Sequence, residues 1–455
     1  MEDIKDLVSS LTVTGIAVLR NVKARRQLFK MVWIQLGRNR RPLCIALFIS
    51  FLSIVLSYVV GRYVIYRVFL HPANRYDGPP PFTGHLHQLF SKDTGVMYRI
   101  WAQKYGRVFR YFGKANSPRV VVADPKFVEQ IISNSGSKPC PLLPSEQYEK
   151  LIPSIVKPIQ QLANQWRLYC DTEIVVSHGL RLVALEIFAQ TVLGHSLDSI
   201  HDTHRHAFNR AFLAQQQNDQ SSPTLWDLSR RFLSRAPRNT TPLEQETLAL
   251  VASASQRLDS TSPALLAHWM QKPATLEDLQ RQAMAALTEV HETIHGVASW
   301  SLYRLAENPD LQATLRTVPP NDPFLDAFCK EAFRWAPLVP ESHHILNGTH
   351  WVVSPLVLHF DSRYWGDDVD QFLPSRWYRA PANQISPFVY LPGASDLAIK
   401  QLKLVLTVLL QQFKFTVKPG LNVRASLSWS CRPMPCMSLL LEPIDGTDSV
   451  VVDQE

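Results

Sequence analysis

No cysteine lies between Cys329 and Cys431, and the six present (Cys44, Cys140, Cys170, Cys329, Cys431, Cys436) follow neither a zinc-ligand nor a disulfide-framework spacing. That excludes a disulfide-stapled secreted domain and suits a reducing compartment. Positive charge is scarce outside one flank. Residues 1–41 hold nine Lys/Arg against Glu2, Asp3 and Asp6, so a net +6 of the formal +8 is local. The remainder is close to neutral, which argues against a nucleic-acid-binding surface and against nucleic acid as a partner. Charge of either sign is missing from Leu43–Gly61, LCIALFISFLSIVLSYVVG. At about 1.5 Å per residue this stretch reaches across a hydrocarbon core. Its length and the lack of a small-residue cleavage pattern count against a buried helix and a cleaved signal. It reads as a membrane anchor.

What is present points to a large, loop-rich core: 46% of residues are hydrophobic and 32 are proline. The most informative stretch is Pro387–Lys403, PFVYLPGASDLAIKQLK. An aromatic loop (Phe388, Tyr390, Pro392, Gly393) runs into an apolar helix expected over Leu397–Phe413. Upstream, Cys329–Pro337 contains Glu331-x-x-Arg334, a pair on one helical face. Between them lies HFDSRYWGDDVDQFLPSRWY, His359–Tyr378, which ends in Phe372-x-Pro374-x-Arg376-Trp377.

In this order, these segments resemble the C-terminal half of the cytochrome P450 family, in its membrane-bound, fungal-type branch. The resemblance runs from about Asp278 to Asp445 and breaks at one place. The family's loop reads roughly Phe-x-x-Gly-x-Arg-x-Cys-x-Gly, and its cysteine thiolate holds the haem (heme) iron. Here Pro392-Gly393-Ala394-Ser395-Asp396 joins directly onto Leu397-Ala398, without the arginine, the cysteine or the second glycine. The resemblance implies that Glu331, Arg334 and Arg376 form a buried charge network behind the haem. Such a cluster makes sense only when complete, because a lone buried charge is costly. All three residues are present.

Thr275 is a fitting N-cap with Asp278 at N3, opening a helix to Glu307 that Asn308-Pro309 would stop; Leu287, Val290, Ile294 and Val297 mark its buried stripe. At its centre, Glu289-Val290-His291-Glu292-Thr293-Ile294 resembles the distal-helix motif Ala-Gly-x-[Asp/Glu]-Thr-Thr. The resemblance makes Glu292 and Thr293 a remnant proton-relay pair, while Glu289-Val290 would fill the oxygen groove. The same residues spell His291-Glu292-Thr293-Ile294-His295, the H-E-x-x-H of zinc hydrolases. That reading needs a third ligand, for which Glu331 is the nearest sensible residue.

Other stretches organise the chain. His71–Phe90, with Pro79–Pro81, reads as a stiff spacer. Arg107–Phe112 and Arg119–Ala123 read as a β-hairpin, and Ile155–Ile174 and Leu180–Leu193 as helices. Gln215–Ser222 and Pro237–Pro242 read as loops; Phe413–Val417 and Met437–Leu441 read as closing strands. Ser137–Lys150 is too proline-rich for the family's Trp-x-x-x-Arg helix, so a second haem contact is expected to be missing. Cys431 and Cys436 lie past the haem helix and are not expected to replace the ligand.

The expected fold is mainly α with small β-sheets, the cytochrome P450 fold with one N-terminal transmembrane helix. Its parts are a basic segment 1–42, an anchor 43–61, a hinge 62–90, a P450-like domain 91–445 and a polar tail 446–455. The basic flank alone would send the domain to the lumen by the positive-inside rule, where the sequons Asn239-Thr-Thr and Asn347-Gly-Thr would matter. The family instead places the domain in the cytosol on the endoplasmic reticulum, and that placement is the expectation. The expected function belongs to specialised (secondary) metabolism, inactive as written for want of the cysteine. Two alternatives stand: an active haem monooxygenase acting on a hydrophobic metabolite with an NADPH-dependent reductase, its loop lost at an exon boundary, and a zinc hydrolase.

Overall fold

A computed structural model describes residues 30, 40–80, 94–113, 117–134, 145–169, 172–202, 206–220, 241–338, 342–378, 386–391, 395–426, 431–434 and 436–444. The chain divides into two units, Met1–His71 with Ala115–Ser117, and Pro72–Lys114 with Pro118–Glu455. In the first, helix α1 (Arg40–Val59) covers nearly all of the charge-free stretch and continues as a π-helical run, Val60–Leu70. Phe48, Phe51, Ile54 and Tyr58 are each more than 60% exposed. A helix that is apolar all round and bare in this way has no face suited to water.

In the second unit, α2 (Thr94–Tyr105) precedes the expected hairpin, found as β1 (Val108–Gly113) and β2 (Ser117–Val122). The spacer is partly fastened to it. Arg110 donates from Nε to the Tyr76 carbonyl and from its backbone N–H to the Asp77 carbonyl, and a Cβ at Gly78 would stand 2.0 Å from the Arg110 carbonyl oxygen. Pro81–Phe90 lie outside the described residues.

Helix α3 (Ser145–Arg167) starts ten residues before the expected Ile155 and contains Pro153 and Pro158. Each interior proline costs about 3 kcal/mol. Leu151, Ile155, Ile159 and Leu162 are nevertheless buried along one face, and each contributes roughly 1.5–3 kcal/mol. Burial wins over propensity. A short strand, β3 (Glu173–Ile174), leads to α4 (Val176–Phe188), which continues as a π-helical run over Ala189–Leu193. By length and composition Val176–Leu193 would also span a membrane, but it is 83% buried and is a core helix. Helix α5 (Ala207–Gln220) corrects the loop read over Gln215–Ser222 as far as Gln220, because glutamine is a good helix former; Ser221 and Ser222 lie outside the described residues.

The long helix expected from Thr275 is present with its capping box, Thr275 and Asp278 each bonding the other's backbone N–H. It is not continuous α-helix. Helix α6 (Leu276–His291) passes through a π-helical turn, Glu292–Val297, into α7 (Ala298–Glu307), where Asn308 caps the next helix with Pro309 at N1. Helix α8 (Pro323–Trp335) carries Glu331 and Arg334. The strands β4 (Ser342–Leu346) and β5 (Thr349–Val353) are closed by Asn347-Gly348, whose φ values of 50° and 73° are what a two-residue primed turn needs. The first sheet is ordered β1-β2-β5-β4, with β2 and β5 parallel.

Helix α9 (Asp396–Gln412), N-capped by Ser395, matches the helix expected over Leu397–Phe413. It leads into β6 (Phe413–Val417), as read from the sequence. The strands β7 (Arg424–Ser426) and β8 (Arg432–Met434) form a two-stranded sheet. The closing strand β9 (Leu439–Pro443) begins two residues after the expected Met437 and lies between β3 and β6. Trp166 packs edge-on against Phe413 and Phe415, which ties α3 to this sheet.

Candidate active site

Helical spacing places Glu331 and Arg334 on one face of α8, and both are fully buried. Arg334 grips the carboxylate with two bonds, Nε to Oε2 at 2.9 Å and Nη2 to Oε1 at 2.8 Å. Its Nη1 donates to the His359 carbonyl at 2.7 Å. Glu331 also accepts from the Leu373 N–H (3.0 Å) and Trp377 Nε1 (3.1 Å). Arg376 joins with Nε 3.5 Å from Glu331 Oε1, but its shorter bonds go to Asp368 Oδ1 (2.6 Å) and the Trp365 carbonyl (2.6 Å). Two cations thus meet two anions, the balance that a buried ion cluster requires.

This network holds the segment that leads into the shortened loop. His359 is buried between them. The Leu391 N–H donates to its Nε2 (2.9 Å), so Nδ1 carries the proton and donates to the Arg334 carbonyl (3.0 Å). Burial pushes the imidazole pKa down to about 3, with the Arg334 charge adding to the drop. Tyr390 stacks on the imidazole at 5.4 Å and donates to the Lys330 carbonyl at 3.1 Å. The sequence assigned His359 no role; its only signal was to open the segment that resembles the family.

The acid–alcohol pair begins the π-helical turn between α6 and α7, a local form frequent at functional sites. Glu292 is buried with Oε1 3.1 Å from His291 Nδ1. The Thr293 hydroxyl is buried and has no hydrogen-bond partner among the described residues. The rings of His291 and His295 lie 4.8 Å apart, with Phe212 of α5 against His291. Among the described residues, no group of three His, Cys, Asp or Glu comes together to hold a metal ion. Glu331, the expected third zinc ligand, is engaged by Arg334. The zinc-hydrolase ligand set is not assembled.

Cys431 lies by the distal helix. Its carbonyl accepts from Trp300 Nε1 at 2.5 Å, and its buried thiol is pushed up by desolvation and by the Glu292 charge. Cys329 is also buried, and desolvation raises its thiol.

The two elements that would face a haem meet each other. Glu289, where the distal motif has alanine, accepts the Ser395 N–H at 2.7 Å, and Ser395 stands at the end of the shortened loop. A flat ring between two such elements needs van der Waals contact on both sides, about 7 Å in all. The Glu289 side chain occupies the space between them at this point. The missing cysteine and arginine remove the donors as well, so the residues here do not fit a haem–thiolate group. Pro392–Ala394 lie outside the described residues.

The family model for cytochrome P450 matches residues 141–439, well over half of the chain. Against cytochrome P450 monooxygenase 205 of Postia placenta, the chain is 20% identical over 477 residues, covering 77% of this chain and 88% of that protein. It is 31% identical over 133 residues to cytochrome P450 monooxygenase sphH of Aspergillus fumigatus, covering 22% of this chain and 24% of that one. With cytochrome P450 monooxygenase buaD of Petromyces alliaceus, identity is 30% over 134 residues, covering 23% and 25%. The match thus spans about a quarter of the last two relatives and most of the first.

Proposed function

Since the chain belongs to the cytochrome P450 family, we propose that it is a membrane-tethered P450-type protein of specialised metabolism that keeps the family scaffold without haem–thiolate oxidation. The observation that carries this reading is the missing ligand: no cysteine stands between Cys329 and Cys431. The Glu289–Ser395 bond supports it from the opposite side. In this reading Glu331, Arg334 and Arg376 are a scaffold that has outlasted its cofactor, and Glu292 and Thr293 are the residue of a proton relay. The bare apolar helix around Phe48–Tyr58 tethers the protein, with the domain on the cytosolic side of the endoplasmic reticulum.

The test is the absorption spectrum of the purified full-length chain, reduced and exposed to carbon monoxide. No red-shifted thiolate band is expected. Such a band would mean that a cysteine reaches iron, and the reading would fall.

A second reading is supported by the compactness of the break. Leu391 is fixed by His359 and Ser395 caps α9, with three residues between them. Both flanks stand ready for a longer loop, as an active monooxygenase with a reductase partner and a hydrophobic substrate would have. An Arg-x-Cys-x-Gly segment encoded next to Gly393 in the gene would favour this reading over the first.

A further inference from the structure

Two departures from the family pattern, 106 residues apart, touch each other. One is the carboxylate at Glu289, on the last turn of α6. The other is the shortened loop, which ends at Ser395. Ser395 is the N-cap of α9, where its hydroxyl accepts the Ala398 N–H at 3.3 Å. A carboxylate held at this end of a helix meets the positive end of the helix dipole, and a charged acceptor makes the stronger kind of hydrogen bond. Glu289 and Ser395 are both partly buried, which limits competition from water. The alanine of the family motif has no side chain that can reach this amide.

We propose that Glu289 is a clasp that joins the distal helix to α9 across the space a haem would need, so that restoring the cysteine loop alone does not restore haem binding. The inference rests on the haem-free reading above. The long acidic side chain of Glu289 closes the distance to the Ser395 amide.

Hydrogen–deuterium exchange on the full-length protein tests the clasp itself. E289A is expected to speed exchange at the Ser395 amide tenfold or more, while E289Q, whose carbonyl oxygen still accepts, stays near the parent rate. Equal exchange in E289A and parent overturns the clasp. Haem content then tests the block, using chains with an Arg-x-Cys-x-Gly segment inserted before Ser395, with and without E289A. Haem is expected only in the combination. Stoichiometric haem with the insertion alone overturns the proposal. Should the inserted chains fail to fold, the exchange comparison decides it. Haem in the unaltered chain would instead overturn the haem-free reading, and the exchange result would still judge the clasp.

Discussion

The charge network on α8 and the stretch where α6 meets the start of α9 differ in what their polar groups achieve. In the first, Glu331 accepts four hydrogen bonds and Arg334 donates at every nitrogen, with nothing exposed. In the second, Thr293 keeps a buried hydroxyl without a partner among the described residues, and Glu289 reaches across to a backbone amide. The first group stabilises the fold whether or not a cofactor binds. The second matters in the family only through what binds there. Once binding is lost, sequence drift is tolerated in the second region and costly in the first.

The largest effect expected is at the network. Glu331→Ala strands Arg334 as a buried charge and is expected to cost about 3–5 kcal/mol. That is a large share of the roughly 5–15 kcal/mol that holds a domain together. Urea unfolding of the two proteins measures it; a loss below about 1 kcal/mol would erase the contrast between the regions.

Next comes acid sensitivity. His359 has a folded pKa near 3, below the ordinary value near 6.5, so between those values the unfolded chain binds the extra proton. Its contribution is intact above pH 6.5 and is lost as the pH falls toward 3, by up to about 1.4 kcal/mol per pH unit. The parent's unfolding midpoint should fall across that window, and His359→Asn should flatten the slope. An equal slope in both would place the acid sensitivity elsewhere.

The smallest effect has the opposite sign. Thr293→Val removes a buried hydroxyl that gains nothing, and is expected to raise stability by about 1 kcal/mol. A loss on thermal unfolding would show that the hydroxyl still has work in the folded chain.

Most regular elements were legible because their signals are local. Thr275 with Asp278 fixed one helix start, Asn308-Pro309 its end, and the alternation in Phe413–Val417 a strand. The misses have physical reasons. In α3 the buried stripe overrides two prolines that would end a helix by propensity. In α5 glutamines read as loop are good helix formers. The π-helical turn left no trace, since Leu287, Val290, Ile294 and Val297 suit a plain helix equally well. Of the candidate site, the buried Glu331–Arg334 pair was readable only through the resemblance of His359–Tyr378 to the family, since the spacing alone fits an ordinary surface ion pair. Glu289 and Ser395 were noticed only as two separate departures, because no local pattern reports a bond between residues 106 apart. Cys431, set aside because it follows the haem helix in the chain, lies against the distal helix, a placement that chain order does not report.

The π-helical turn has a consequence for chain length. An α-helix advances about 100° per residue, so adding or removing one residue normally swings everything on one side around the axis. A turn of this kind absorbs the extra residue locally and leaves both flanks in register. Within Glu292–Val297, then, the helix can shorten by one while Leu279, Ala283 and Leu287 stay in the core and Glu289 stays opposite Ser395. A deletion anywhere else along Leu276–Glu307 would unscrew one half from the other.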